Sequence, residues 1–190
     1  MKSILVYCGA NEGSNPVYKT TAHLVGKTLA EQQIRVIYGG GSIGLMGAVA
    51  DGALSSGGDV LGIIPNFIDA WEVGHKALPE MINVETMHER KALMEKVTDG
   101  IIALPGGYGT FDELFEMLAW SQLRLHAKPI GLLNTNGFYD HLLLFLDRVV
   151  ADGFLRQENR DLLLVDEDIN GLLAKMQNFQ RTNHELYVGK

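Results

Sequence analysis

Short, uninterrupted apolar runs recur along this chain, each followed by a longer stretch with helical periodicity. Ile4-Leu5-Val6-Tyr7-Cys8, Arg35-Val36-Ile37-Tyr38, Val60-Leu61-Gly62-Ile63-Ile64, Gly100-Ile101-Ile102-Ala103-Leu104 and Pro129-Ile130-Gly131-Leu132-Leu133 carry no polar alternation. Strands of that kind are buried on both faces, and helices between them supply the covering layers. Weaker strands are predicted over Asn83–Met87 and Leu162–Val165. Helices are predicted over Pro16–Gln32, Gly44–Ser55, His88–Val97, Phe111–Leu123, Tyr139–Val150 and Ile169–Phe179. Strand–helix alternation with right-handed crossovers leads to an α/β fold, a doubly wound, Rossmann-like parallel sheet with helices on both faces. A chain of 190 residues fits one such core, so 1–181 is expected to form a single domain, with a loosely ordered tail over 182–190.

Ligands of a doubly wound sheet bind outside the carboxyl ends of its strands. Glycines stand at three of those ends: Gly9, Gly39–Gly41 and Gly106–Gly109. One such glycine is explained by a tight turn. Three on one edge favour a phosphate or nucleotide site, with Gly40, Gly41 and Ser42 contributing to substrate binding.

Gly39-Gly40-Gly41-Ser42-Ile43-Gly44 matches the dinucleotide pattern G-x-G-x-x-G in form only. The acidic residue that should end the next strand is missing, since Ile63-Ile64-Pro65 ends it and Asp59 precedes it. Pro105-Gly106-Gly107-Tyr108-Gly109-Thr110 is more informative. Its glycines let successive N–H groups converge on an anion, and the following helix adds its positive end. Thr110 is expected to cap that helix or bond a phosphate oxygen. No Gly-Lys-Ser/Thr follows, which argues against a triphosphate loop.

Asp112 and Glu113 are expected in the first turn of this helix, where acids suit the dipole. Two acids beside a phosphate cradle would repel the ligand unless one has another use. A carboxylate at the rim of a dry pocket acts as a general base or stabilises developing positive charge. His88-Glu89-Arg90-Lys91 opens the preceding helix. A zinc motif would need His where Ala92 stands, and the other histidines, His23, His75, His126, His141 and His184, lack ligand spacing. Arg90 and Lys91 are positioned to supply the cation that a phosphate requires.

That cation matters because the net charge is −7, a balance unsuited to gripping a nucleic-acid backbone. Cys8 is the sole cysteine, so no intrachain disulfide forms and a reducing compartment is expected. No signal-like or membrane-spanning apolar stretch is present in the sequence, which predicts a cytoplasmic protein.

Together these segments resemble the Lonely Guy (LOG) family, phosphoribohydrolases of cytokinin riboside 5′-monophosphates, many of whose members carried the label lysine decarboxylase-like. The resemblance runs from Val6-Tyr7-Cys8-Gly9-Ala10 to about Gly153. It rests on Tyr38-Gly39-Gly40-Gly41-Ser42-Ile43-Gly44-Leu45-Met46-Gly47, Met87-His88-Glu89-Arg90-Lys91 and Pro105-Gly106-Gly107-Tyr108-Gly109-Thr110-Phe111-Asp112-Glu113. The last fits the family's P-G-G-x-G-T-x-x-E. The resemblance implies that Arg90 and Glu113 are the catalytic pair. It implies that Glu72, Lys91, Gly106, Gly107, Tyr108, Gly109, Thr110, Phe111 and Asp112 bind substrate, with Asp112 where many members carry Glu. It further implies hydrolysis of a nucleoside 5′-monophosphate, a cytokinin nucleotide or AMP, to free base and ribose 5-phosphate, without metal or cofactor. A homodimer or larger homo-oligomer is implied as well, and Trp120 and Leu123 are candidates for its interface. Phe67, Trp71 and Met87 are candidates for the base pocket.

Two other classes compete. A non-catalytic nucleotide-binding or carrier protein would bind nucleotide and release no base. A lysine decarboxylase would need a Schiff-base lysine for pyridoxal phosphate, and Lys91, beside Arg90 on a charged helix, suits that role poorly.

Overall fold

A computed structural model describes residues 1–69 and 74–180. Trp71, Glu72 and the expected tail 182–190 lie outside the described residues. The elements follow in the order β1 (Ser3–Tyr7), α1 (Pro16–Glu31), β2 (Arg35–Tyr38), α2 (Gly44–Ser55), β3 (Val60–Pro65), α3 (Asn66–Asp69), β4 (Glu80–Val84) and α4 (Met87–Val97). Then come β5 (Gly100–Ala103), α5 (Tyr108–Gln122), β6 (Ile130–Leu133), a short 3-10 turn (Thr135–Gly137), α6 (Asp140–Ala151), α7 (Gln157–Arg160), β7 (Leu163–Asp166) and α8 (Ile169–Gln177).

The strands form one parallel sheet in the order β4-β3-β2-β1-β5-β6-β7. The chain works outward from β1 to β4, then returns to place β5 on the other side of β1. That reversal opens a crevice between the carboxyl ends of β1 and β5.

Neighbouring residues of a strand point to opposite faces, and here both faces are covered. Ile4, Val6, Val36 and Tyr38 pack with Val25 and Leu29 of α1, Val49 and Ala53 of α2, and Leu172 of α8. Leu5, Tyr7, Ile37 and Ile63 pack with Met94 of α4, Leu114 and Met117 of α5, and Leu146 of α6. This is the physical origin of the unbroken apolar runs. On the first face α1 and α2 meet backbone to backbone: a Cβ on Gly26 would lie 1.9 Å from the Val49 carbonyl oxygen. No helix among the described residues is long and apolar enough to cross a membrane.

Two expected boundaries are corrected. The strand placed at Asn83–Met87 runs instead over Glu80–Val84, at the sheet edge and half-exposed. Thr86 has a different task, capping α4: its hydroxyl accepts from the Glu89 N–H while the Glu89 carboxylate accepts from the Thr86 N–H. The helix expected from Phe111 begins three residues earlier, at Tyr108, with Gly107 as its N-cap.

Candidate active site

Three strand ends interlock at the crevice. The Gly9 N–H donates to the Pro105 carbonyl at 3.0 Å, and the Leu45 N–H donates to the Gly9 carbonyl at 3.0 Å. The turns after β1, β2 and β5 are thereby tied edge to edge. Above them lies a cavity of about 480 Å3. Cys8 to Gly13, Pro105 to Gly107, Gly109 and Thr110 line it together with Arg90, Asp112 and Glu113. Leu45, Met46, Ile68 and Met87 form an apolar flank, and Tyr18 and Phe138 meet edge-on at 5.7 Å as another.

The start of α5 is the polar end. Gly107, its N-cap, supplies no side-chain hydrogen bond, and the first turn holds no acid. The expected capping by Thr110 is therefore corrected, as Thr110 sits inside the helix; so is the first-turn position of Asp112 and Glu113. An α-helix leaves its first N–H groups without helical acceptors. Here Gly107, Gly109 and Thr110 line the cavity, with neither a side-chain cap nor a first-turn acid for the free N–H groups, which suits an anion.

Arg90 and Glu113 face each other across the cavity wall. Each is only 8% exposed. The Arg90 Nε donates to the Ile63 carbonyl oxygen at 3.1 Å, which anchors the guanidinium to the end of β3. Its Nη1 lies 3.9 Å from Glu113 Oε1, close enough to attract and too far to hydrogen-bond. The guanidinium occupies the space that a side chain on residue 39 would take: a Cβ on Gly39 would stand 2.2 Å from its Nη2. Glycine at the end of β2 is what lets the arginine lie there.

Burial pushes the Glu113 carboxyl up to about 7, against the pull of Arg90. Two surfaces of the site thus differ in kind. One offers N–H groups to an anion, and the other holds a carboxyl that exchanges its proton near neutrality.

Lys91 does not reach the cavity. Its ammonium lies 3.1 Å from Asp112 Oδ2 and 3.0 Å from Glu116 Oε1. Burial works to lower its pKa, and the hydrogen bonds it donates to Glu116 and Asp112, with their charges, outweigh that, holding it above the ordinary lysine value.

The family model described as "Possible lysine decarboxylase" matches residues 46–176. Over 189 residues the chain is 42% identical to a cytokinin riboside 5′-monophosphate phosphoribohydrolase of Arabidopsis thaliana, covering 100% of this chain and 88% of that one. The chain belongs to the Lonely Guy family. A cytokinin riboside 5′-monophosphate phosphoribohydrolase of Oryza sativa subsp. japonica is 43% identical over 178 residues, 94% of this chain and 74% of that one. Among solved structures, the molybdenum cofactor carrier protein of Chlamydomonas reinhardtii superposes with a TM-score of 0.70 at 22% identity, covering 92% of this chain and 95% of that one. The molybdenum cofactor binding protein of Rippkaea orientalis gives 0.69 at 20% identity, covering 93% and 96%. At those identities the likeness concerns the fold.

In this member of the Lonely Guy family the expected site residues separate into two groups. Gly106, Gly107, Gly109, Thr110, Asp112, Glu113 and Arg90 line one cavity, as does Met87. Tyr108 points to solvent, 94% exposed, and Phe111 turns inward to pack edge-on against Tyr139. Gly40, Gly41 and Ser42 are not among the lining residues, where Gly39 stands instead. The Gly40 carbonyl accepts from the His75 N–H, and the Gly41 carbonyl accepts from the Tyr38 hydroxyl. Phe67 lies on the surface, and its neighbour Ile68 reaches the cavity. Glu72 lies outside the described residues.

Sequence reasoning missed Asn11, Glu12, Tyr18 and Phe138, all of which line the cavity. The first two follow the β1 glycine, so membership of the same glycine-bearing edge could have found them. Tyr18 and Phe138 are brought in only by tertiary packing.

Proposed function

We propose that this chain hydrolyses the N-glycosidic bond of nucleoside 5′-monophosphates, cytokinin nucleotides or AMP, releasing free base and ribose 5-phosphate. The observation that carries the reading is the Glu113 carboxyl, buried 3.9 Å from Arg90 on the wall of a cavity whose other wall is an uncapped helix N-terminus. The names of the relatives point the same way.

The α5 N–H groups hold the 5′-phosphate and set the ribose beside Glu113. As the C1′–N bond breaks, its electron pair leaves with the base and positive charge develops on the ribose. The ionised carboxylate stabilises that charge and takes a proton from the attacking water. The hydroxyl adds to C1′, and the proton taken up by Glu113 passes, directly or through solvent, to the departing base nitrogen, which restores the carboxylate. Arg90 orients the substrate and limits the charge around Glu113.

The test is to incubate the protein with AMP and with isopentenyladenosine 5′-monophosphate, then separate free base and ribose 5-phosphate by chromatography. Release is expected from wild type and a loss of at least about a hundredfold in Glu113→Gln. Because the carboxylate works ionised, kcat/KM should climb as pH rises through about 7 and level off above it. Tight nucleotide binding without release of base, unchanged in Glu113→Gln, would instead identify a carrier.

Residues 1–181 act as a single unit in this reading. Exposed Phe115, Phe145 and Phe154, around a groove between α5 and α6, favour a homodimer or larger assembly. The acidic surface argues against nucleic acid, and the single thiol Cys8 fits the cytoplasm.

A further inference from the structure

Beside Arg90 and Glu113 stands a second row of charges to which the proposed reaction assigns no step. Lys91, next to Arg90 on α4, lies between Asp112 and Glu116 of α5, at 3.1 and 3.0 Å. Glu116 is one turn beyond Glu113 and shares its face of the helix. Its second oxygen, Oε2, is buried and has no hydrogen-bond partner among the described residues, and the same holds for the Tyr7 hydroxyl from β1. A buried carboxylate oxygen left unpaired is costly unless the charge arrangement itself is useful.

The charges balance in an informative way. Arg90 and Lys91 contribute two positive charges, and Asp112 and Glu116 two negative ones. With Glu113 protonated the cluster is neutral; with Glu113 ionised it carries one net negative charge. We propose that Glu116 and Lys91 are positioning residues for Glu113, their partly buried ion pair fixing the charge against which Glu113 gains and loses its proton. The inference rests on Glu113 being the working carboxylate. On this account Lys91 does not bind phosphate, because it would first have to leave two carboxylates in a partly buried setting.

Among the described residues, the charged groups that act on Glu113 fit this arrangement. Arg90 and Lys91 on α4 favour its ionised form, while Asp112 and Glu116 on α5 disfavour it. Tyr7 at the end of β1 and Cys8 just after it are pushed up first by burial and then by Glu113 itself, so both stay neutral across the working range.

Opposite substitutions should therefore move Glu113 in opposite directions. The measurement is a carbon-13 NMR titration of the glutamate side-chain carboxyls in uniformly labelled protein, with the Glu113 signal assigned by its loss in Glu113→Gln. Wild type is expected to titrate at about 7. Glu116→Gln should lower the midpoint by about half a pH unit or more, and Lys91→Met should raise it by a similar amount. The pH limb of kcat/KM should follow in each variant. An unmoved midpoint in both folded variants overturns the inference. So does a Lys91→Met variant whose KM rises while its midpoint stays put, because that is the behaviour of a phosphate ligand. Should Lys91→Met fail to fold, Asp112→Asn takes its place; it and Glu116→Gln should both lower the midpoint, and no movement in either counts against the idea. The titration needs no substrate, so it stands apart from any failure to detect released base.

Discussion

Glu113 is a carboxyl held where water scarcely reaches it, and the protein bears a cost for keeping it there. Its value of about 7 stands above the 4.5 of an unburied glutamate, so the folded state binds its proton more tightly than the unfolded chain does. A raised acid destabilises the fold once pH passes the unfolded value, and the full penalty is reached above the folded one. Stability should fall between about pH 4.5 and 7, by on the order of 3 kcal/mol from this group. Glu113→Gln removes the titration. Denaturant unfolding should show the variant gaining on wild type as pH climbs from 4 to 8, and a difference that stays constant over that range would refute the assignment. Gly39 makes a complementary case. Gly39→Ala puts a methyl where the Arg90 guanidinium lies, and the cheapest response is for that flexible end to move. The melting temperature should barely change while kcat/KM drops on the order of a hundredfold, the usual effect of a small misplacement in a site. The reactive pair was readable from its residue types and neighbours. The engagement of Lys91 was not, because the i,i+3 spacing of Glu113 and Glu116 says nothing about which helix they face.

Whole elements were more legible than their ends. Strands buried on both faces announce themselves as apolar runs, so β1, β2 and β5 fell within a residue of expectation. The half-exposed edge strand β4 has no such signal, and its expected range slid into the cap of α4. The start of α5 was hidden by chemistry of the opposite kind. Gly107 and Gly109 are poor helix formers, so a turn was expected where the helix already begins. That early start is what brings free N–H groups to the cavity. The contact of α1 with α2 yields a test at the same scale. Gly26→Ala gains about 1 kcal/mol of helix propensity, yet its methyl would meet the Val49 carbonyl at 1.9 Å. Overpacking of that severity should cost about 2 kcal/mol or more and win, lowering the thermal midpoint by several degrees. An unchanged or higher midpoint would mean that the two helices part at little expense.

For the molecule as a whole, the return from β4 to β5 divides the work between the two halves of the chain. The first half supplies Arg90 and the β1 and β2 turns; the second supplies α5 with Glu113. The covering helices also leave apolar surface unaccounted for. Phe154 is 86% exposed, and Phe145 and Phe115 lie with it around a groove between α5 and α6. Light scattering should give a mass of two chains or more, and Phe145→Asp with Phe154→Asp should reduce it; a wild-type monomer would exclude this face as an interface between copies.

Cys8, at the carboxyl end of β1, has a practical consequence. The chain has one sulfur nucleophile, and it lines the same cavity as Glu113. Burial holds the thiol far from ionisation, so a reagent such as iodoacetamide should label it slowly. Any molecule seated in the cavity should slow it further. Intact-mass spectrometry of the unaltered protein could then rank candidate nucleotides by how well each shields one atom, before any turnover has been seen.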